Sequence, residues 1–225
     1  MDARVREVLR WLERRGTART REEMLTRYGI TAPQAFGVKV GVIQQLAKRL
    51  GRDHDLAEAL WKTGWYEARL LAAYVDDPAQ VTPGQMDRWV REFDNWGVCD
   101  TVCFVLFDRT DHAWRKVESW SRRRGEFVRR AAFALLAGLA LHDKTMGEAP
   151  FRRALTLVAA AASDERNFVK KGVSWALRSI GNRSGALHAA AVKVAGRLET
   201  SAEPAARWVG KDALRQLATR KPRRA

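Results

Sequence analysis

Cysteine is nearly absent from this 225-residue chain, and its scarcity removes several classes of function. Only Cys99 and Cys103 occur. Spaced i,i+4, they would lie on consecutive turns of one helix, where a disulfide constrains little. Metal binding needs more ligands, and His112, the nearest histidine, has no partner at ligand spacing. The chain also lacks zinc spacing, a Gly-rich phosphate loop and a hydrolase nucleophile elbow, so no metal and no cofactor are expected. Both thiols read as small buried hydrophobes in a reducing compartment. No apolar run reaches the roughly 18 residues that a membrane span needs. The opening Asp2-Ala3-Arg4-Val5-Arg6-Glu7 is amphipathic and charged, unlike a signal peptide. These absences lead to an expectation of a cytoplasmic protein with no membrane partner.

Strand-like alternation is missing too, whereas helical periodicity is nearly continuous. Val5, Val8, Leu9 and Leu12 follow i, i+3, i+4, i+7 and mark a first helix. A second is expected over 21–28. A third is expected to open at Pro33, carry Val38, Val42, Leu46 and Leu50, and stop at Gly51. Ten more follow, joined by short turns such as Asp76-Asp77-Pro78. About thirteen short helices with half-apolar faces bury those faces most economically as stacked antiparallel pairs. The expected class is therefore all-α, an α-solenoid of HEAT-like type. No long linker interrupts the chain, so 1–219 reads as one domain, with 220–225 as a basic tail.

Charge is the next departure from an ordinary composition. The net charge is +15, with 41 Lys+Arg against 26 Asp+Glu. Residues 1–112 contain 17 of each sign, whereas residues 113–225 contain 24 cations and 9 carboxylates. An excess confined to one half points to a polyanionic partner. Two basic segments stand out. In Glu126-Phe127-Val128-Arg129-Arg130-Ala131-Ala132, the two arginines lie about 100° apart on a helix, so one can face a groove while the other faces water. In Lys170-Lys171-Gly172-Val173-Ser174-Trp175-Ala176-Leu177-Arg178, the residues Lys171, Trp175 and Arg178 share a face, and a Trp flanked by cations suits nucleic-acid contact. The four histidines lie at unrelated places near helix ends and read as caps or surface residues.

Against this background Asp100 is unusual. It follows Trp96 by one helical turn, so indole and carboxylate project together. An anionic, aromatic spot is a poor place to bind a polyanion, but a suitable place to stabilise a cation that forms on one.

Three motifs occur in a telling order: Trp-x-x-x-Asp at 96–100, Arg-Arg-x-Ala at 129–132, and Lys-Lys-Gly-Val-x-Trp-Ala-Leu-Arg at 170–178. With Phe36-Gly37-Val38-Lys39-Val40 upstream, the pattern resembles the AlkD-type DNA alkylation repair glycosylases. The resemblance implies a HEAT-like solenoid that binds double-stranded DNA carrying alkylated bases. It implies that Asp100 is the catalytic aspartate, that Trp96 and Trp175 pack on the lesion's deoxyribose, and that Arg130 holds the adjacent DNA backbone. Arg129 is an alternative to Arg130, because the pair permits a one-residue slip. Many relatives carry an Asp directly after the first Trp. Gly97 stands there in this chain, a departure expected to add flexibility and remove a negative charge. A monomer is the default state for a groove that admits duplex DNA. The competing classes are a non-catalytic helical-repeat binder of DNA or RNA, and a protein–protein scaffold. The one-sided charge argues against the scaffold.

Overall fold

A computed structural model describes residues 2–219. The basic tail at 220–225 lies outside the described residues. Among the described residues the chain forms thirteen α-helices and one 3₁₀ turn, and it contains no strand. No helix among them is long and apolar enough to cross a membrane.

Where the sequence suggests one domain, contacts divide the chain into two compact units, Met1–Thr110 and Asp111–Ala225. The change in charge at residue 112 falls two residues from this boundary. The first unit has 17 cations and 16 carboxylates, the second 24 and 10. Each unit gathers its helices around its own buried helix, which is why contacts concentrate within the halves although no linker marks the division.

The first unit contains α1 (Ala3–Glu13), α2 (Ala18–Thr26), α3 (Val40–Leu50), α4 (His54–Trp61), α5 (Tyr66–Val75), α6 (Pro83–Arg91), α7 (Trp96–Val105) and the 3₁₀ turn Phe107–Arg109. Side-chain caps set many helix starts. Asp2, Thr17, Asp53, Thr82 and Asn95 each accept a backbone N–H two or three residues on, worth about 1 kcal/mol apiece. Helix α5 is the axis of this unit: Ala68, Leu70, Leu71, Ala72, Ala73 and Val75 are all buried, and α3, α4 and α7 pack on it. Beside it Trp61 and Trp89 stack at 4.0 Å, with Phe93 and Phe107 about them at 6.0 and 6.1 Å.

The third helix does not open at Pro33. It begins at Val40, because a distant carboxylate claims the preceding backbone. Glu67, fully buried on α5, accepts from the amides of Phe36 at 3.0 Å, Gly37 at 2.7 Å and Val38 at 3.1 Å. Gly37 has a φ of 83°, and a Cβ there would lie 2.3 Å from the Thr17 carbonyl oxygen, so the segment needs glycine. The Gly37 carbonyl in turn accepts from the Thr17 amide at 3.0 Å, which ties the segment to the start of α2.

The second unit contains α8 (Ala113–Trp120), α9 (Glu126–His142), α10 (Glu148–Ala161), α11 (Asn167–Gly181), α12 (Gly185–Glu199) and α13 (Pro204–Thr219). Helix α9 is buried continuously from Arg130 to Ala140 and is flanked by α8 and α11. Helix α11 also packs on α10, α12 and α13. Helices α9 and α11 run parallel. Successive contacts pair Arg124 with Arg166, Phe127 with Phe168, and Arg130 and Phe133 with Gly172. A Cβ at Gly172 would stand 3.5 Å from Arg130 Cγ, an ordinary van der Waals contact, so the two helices pack closely there without excluding a methyl group.

Candidate active site and nucleic-acid interface

Helix α7 sorts its residues into two faces. Val98, Cys99, Val102 and Cys103 are buried, and the helix packs on α5. Trp96 and Asp100 lie at the edge of that face, both half-buried. The expected pairing of indole and carboxylate one turn apart is therefore present. Asn95 caps the helix by accepting from the Val98 amide at 3.0 Å, which fixes the start of the turn. The indole Nε1–H of Trp96 donates to the Tyr28 carbonyl oxygen at 2.9 Å. That bond spans 68 residues, and the sequence alone gave no signal for it. It holds the ring against the chain that follows α2. Both cysteines are buried thiols outside any disulfide, and burial pushes the Cys103 thiol up. They pack as small hydrophobes, as expected. No group of three or more His, Cys, Asp or Glu able to hold a metal ion occurs among the described residues.

Gly97 corrects an expectation. It does not loosen the turn but fits a tight gap. A Cβ there would lie 2.6 Å from the Tyr66 hydroxyl, 3.1 Å from Ile30 Cδ1 and 3.2 Å from Asn95 Oδ1. The Tyr66 hydroxyl thus occupies the space that a side chain at 97 would need. Burial holds Tyr66 well above the ordinary phenol range, so the group stays neutral. Gly97→Ala is expected to lower stability by about 1–3 kcal/mol, the usual cost of overpacking. Adding Tyr66→Phe should restore most of that loss. Thermal melting of the single and double variants checks this; equal melting of Gly97→Ala and wild type would contradict it.

The other five candidates belong to the second unit. Arg130 is 6% exposed, and its Nη1 donates to the Phe168 carbonyl oxygen at 2.6 Å. Arg129 is half-buried and pairs with Asp164 at 2.8 Å. The expectation that one arginine of the pair faces open water does not hold. Helices α8 and α11 cover α9 from two sides, so its first turns retain little solvent-facing surface. Asp164 is also gripped by Arg166, at 2.6 Å and 2.9 Å. The Arg166 guanidinium is the main cause holding the Asp164 carboxyl below its usual range, aided by the Arg166 amide and by Arg129.

The face carrying Lys171, Trp175 and Arg178 is graded. Lys171 is exposed, whereas Trp175 and Arg178 are half-buried. Arg178 turns toward α13. Its Nε donates to the Ser174 carbonyl oxygen at 3.1 Å and lies 3.8 Å from Asp212, and its Nη1 donates to Gln216. Sequence spacing places these three residues on one face but does not reveal Asp212, 34 positions on, which draws Arg178 aside. Trp208 is 37% exposed, with Lys170 Nζ 5.0 Å from its ring centroid. Trp61, Trp89 and Trp120 are buried, as expected.

The family model described as DNA alkylation repair enzyme matches residues 8–217. The chain belongs to that family. A solved protein from a family related to the HEAT-like repeat DNA glycosylases, described as having affinity for branched DNA structures, is similar in fold. Its TM-score is 0.77 at 23% identity, covering 96% of this chain and 95% of that one. The fold is thus of the HEAT-like helical-repeat kind. No curated protein matches the chain.

Proposed function

We propose that the protein is a monofunctional DNA glycosylase, acting as a monomer on cationic alkylated purines in duplex DNA. The observation that carries this reading is the Trp96–Asp100 pair, capped by Asn95, tethered through Tyr28 and half-open at the edge of α7. Alkylation at N3 of adenine or N7 of guanine puts a positive charge on the base. When the bond from C1′ to the base nitrogen breaks, its electron pair neutralises the base, which leaves without protonation. Positive charge passes to the sugar as an oxocarbenium-like species, and water then bonds to C1′ and loses a proton. Asp100 is the group that stabilises this cation and orients the water. The electron-rich face of Trp96 favours the same charge. In the second unit, Trp175 is assigned to the lesion's sugar, Arg130 or Arg129 to the adjacent backbone, and Lys171 and Arg178 to further phosphate contact. The step needs no metal and no cofactor.

Reliance on a positively charged leaving base sets the test. Under single-turnover conditions, duplex DNA containing 7-methylguanine should release free base, while duplex containing uracil, a neutral base, should release none. Equal release from both would show that leaving-group charge is not what the site exploits.

A second reading is non-catalytic binding of branched DNA. It is favoured by the description of the similar solved protein as having affinity for branched DNA structures. Under that reading, a four-way junction is bound more tightly than duplex and neither base is released.

A further inference from the structure

The second unit has a cationic corner that lies apart from the residues assigned above to the lesion. The turn before α9 carries Arg122, Arg123 and Arg124 in succession, all exposed. The turn before α11 carries Arg166, which is half-buried. The two turns are tied together, since Arg166 Nη1 donates to the Arg124 carbonyl oxygen at 2.5 Å. Asp164, only 5% exposed at its side chain, holds Arg166 from below at 2.6 Å. Lys170 follows one turn into α11. The corner also contains opposing charge: Asp164 is bonded to Arg166 and Arg129, Glu126 is half-buried and Glu165 is exposed. Glu118, one turn before Arg122, is exposed as well, and the three exposed arginines outweigh these two exposed carboxylates.

Two features suit this corner to phosphodiester oxygens. Arginine presents a planar fork of donors that matches phosphate geometry. Helices α9 and α11 begin side by side and parallel, and neither start has a side-chain cap. The start of α9 adds its first amides and the positive end of its dipole to the field of the arginines, whereas at α11 the Asp164 carboxylate already accepts the Arg166 amide at 3.1 Å.

We propose that this corner is a second backbone-gripping surface, which holds duplex DNA by its phosphates through Arg122, Arg123 and Arg124 with Arg166 at its base. It rests on the DNA-binding part of the reading above and is independent of catalysis. A contact of this kind reads no sequence and no lesion, so it supplies affinity for undamaged DNA.

The test is binding of an undamaged duplex oligonucleotide by fluorescence anisotropy across a salt series. Each phosphate contact adds about 0.9 to the slope of log K against log salt. Arg122→Ala/Arg123→Ala/Arg124→Ala should reduce that slope by about 2–3 and weaken binding on the order of tenfold at 0.1 M salt. The triple lysine variant at the same positions should retain most of the slope, which separates charge from any structural role. Arg153→Ala/Lys193→Ala/Arg197→Ala removes the same charge from exposed positions on α10 and α12 and should leave the slope near that of wild type. An unchanged slope in the arginine-to-alanine variant would overturn the proposal. So would an equal loss in the α10/α12 variant, because net charge alone would then explain both. Absence of base release by wild type would count against the glycosylase reading and leave these slopes intact.

Discussion

Asp100→Asn is expected to lower single-turnover release of 7-methylguanine by a factor on the order of 10³, while duplex affinity stays level or rises slightly. The substitution keeps the shape and removes the charge. Binding should not suffer, because a carboxylate among phosphates opposes binding and its loss relieves that repulsion. The barrier should suffer, because positive charge develops on the sugar only as the bond breaks. A group that acts on that charge contributes to the transition state and little to the ground state. Loss of one such fixed electrostatic group typically costs about 2.7–4 kcal/mol. A melting curve run beside the assay keeps catalysis apart from folding. A mutant that released base at the wild-type rate would remove Asp100 from the mechanism.

Glu67→Ala should produce a large loss of stability in the first unit, comparable to truncating a fully buried core side chain. The carboxylate is fully buried and receives three backbone N–H groups, from Phe36, Gly37 and Val38. Removing it leaves those donors buried or forces the segment open, and each unmet donor costs about 1–3 kcal/mol. A total of about 3 kcal/mol or more corresponds to a fall in melting temperature of roughly 6–12 °C for a chain of this size. Hydrogen exchange at the amides of residues 36–38 should accelerate first. The effect should reach the site through bonds already named. Residues 36–38 anchor Thr17 at the start of α2, and the Tyr28 carbonyl just past α2 holds the Trp96 indole. Melting and exchange rates close to wild type would show that the three bonds contribute little.

The sequence is most legible where structure is local. Thirteen helices follow from apolar periodicity, and the Trp96–Asp100 spacing follows from one turn of helix, although α2 begins at Ala18, three residues ahead of the expected 21. The confinement of excess cations to the second half is visible in the sequence as well, and the division into units falls two residues away. The early start of α2 has a local cause, the Thr17 cap, whereas the larger departures have non-local ones. Pro33 is a sound helix-starting signal, but Glu67 on another helix takes the backbone that follows it. Gly97 invites a reading of flexibility until Tyr66, 31 positions earlier, fills the space beside it. Arg129 and Arg130 invite a reading of one solvated face until α11 covers them. In each case a group from a distant part of the chain decides the outcome, and periodicity within one segment carries no trace of it.

The central claim is that the chain breaks the glycosidic bond of a cationic base. It is tested most directly by incubating excess wild-type protein with duplex DNA containing one 7-methylguanine and measuring free base and abasic sites together. The account predicts that both appear in equal amounts at a rate well above spontaneous depurination. DNA that is bound, with base release no faster than in buffer, would contradict it.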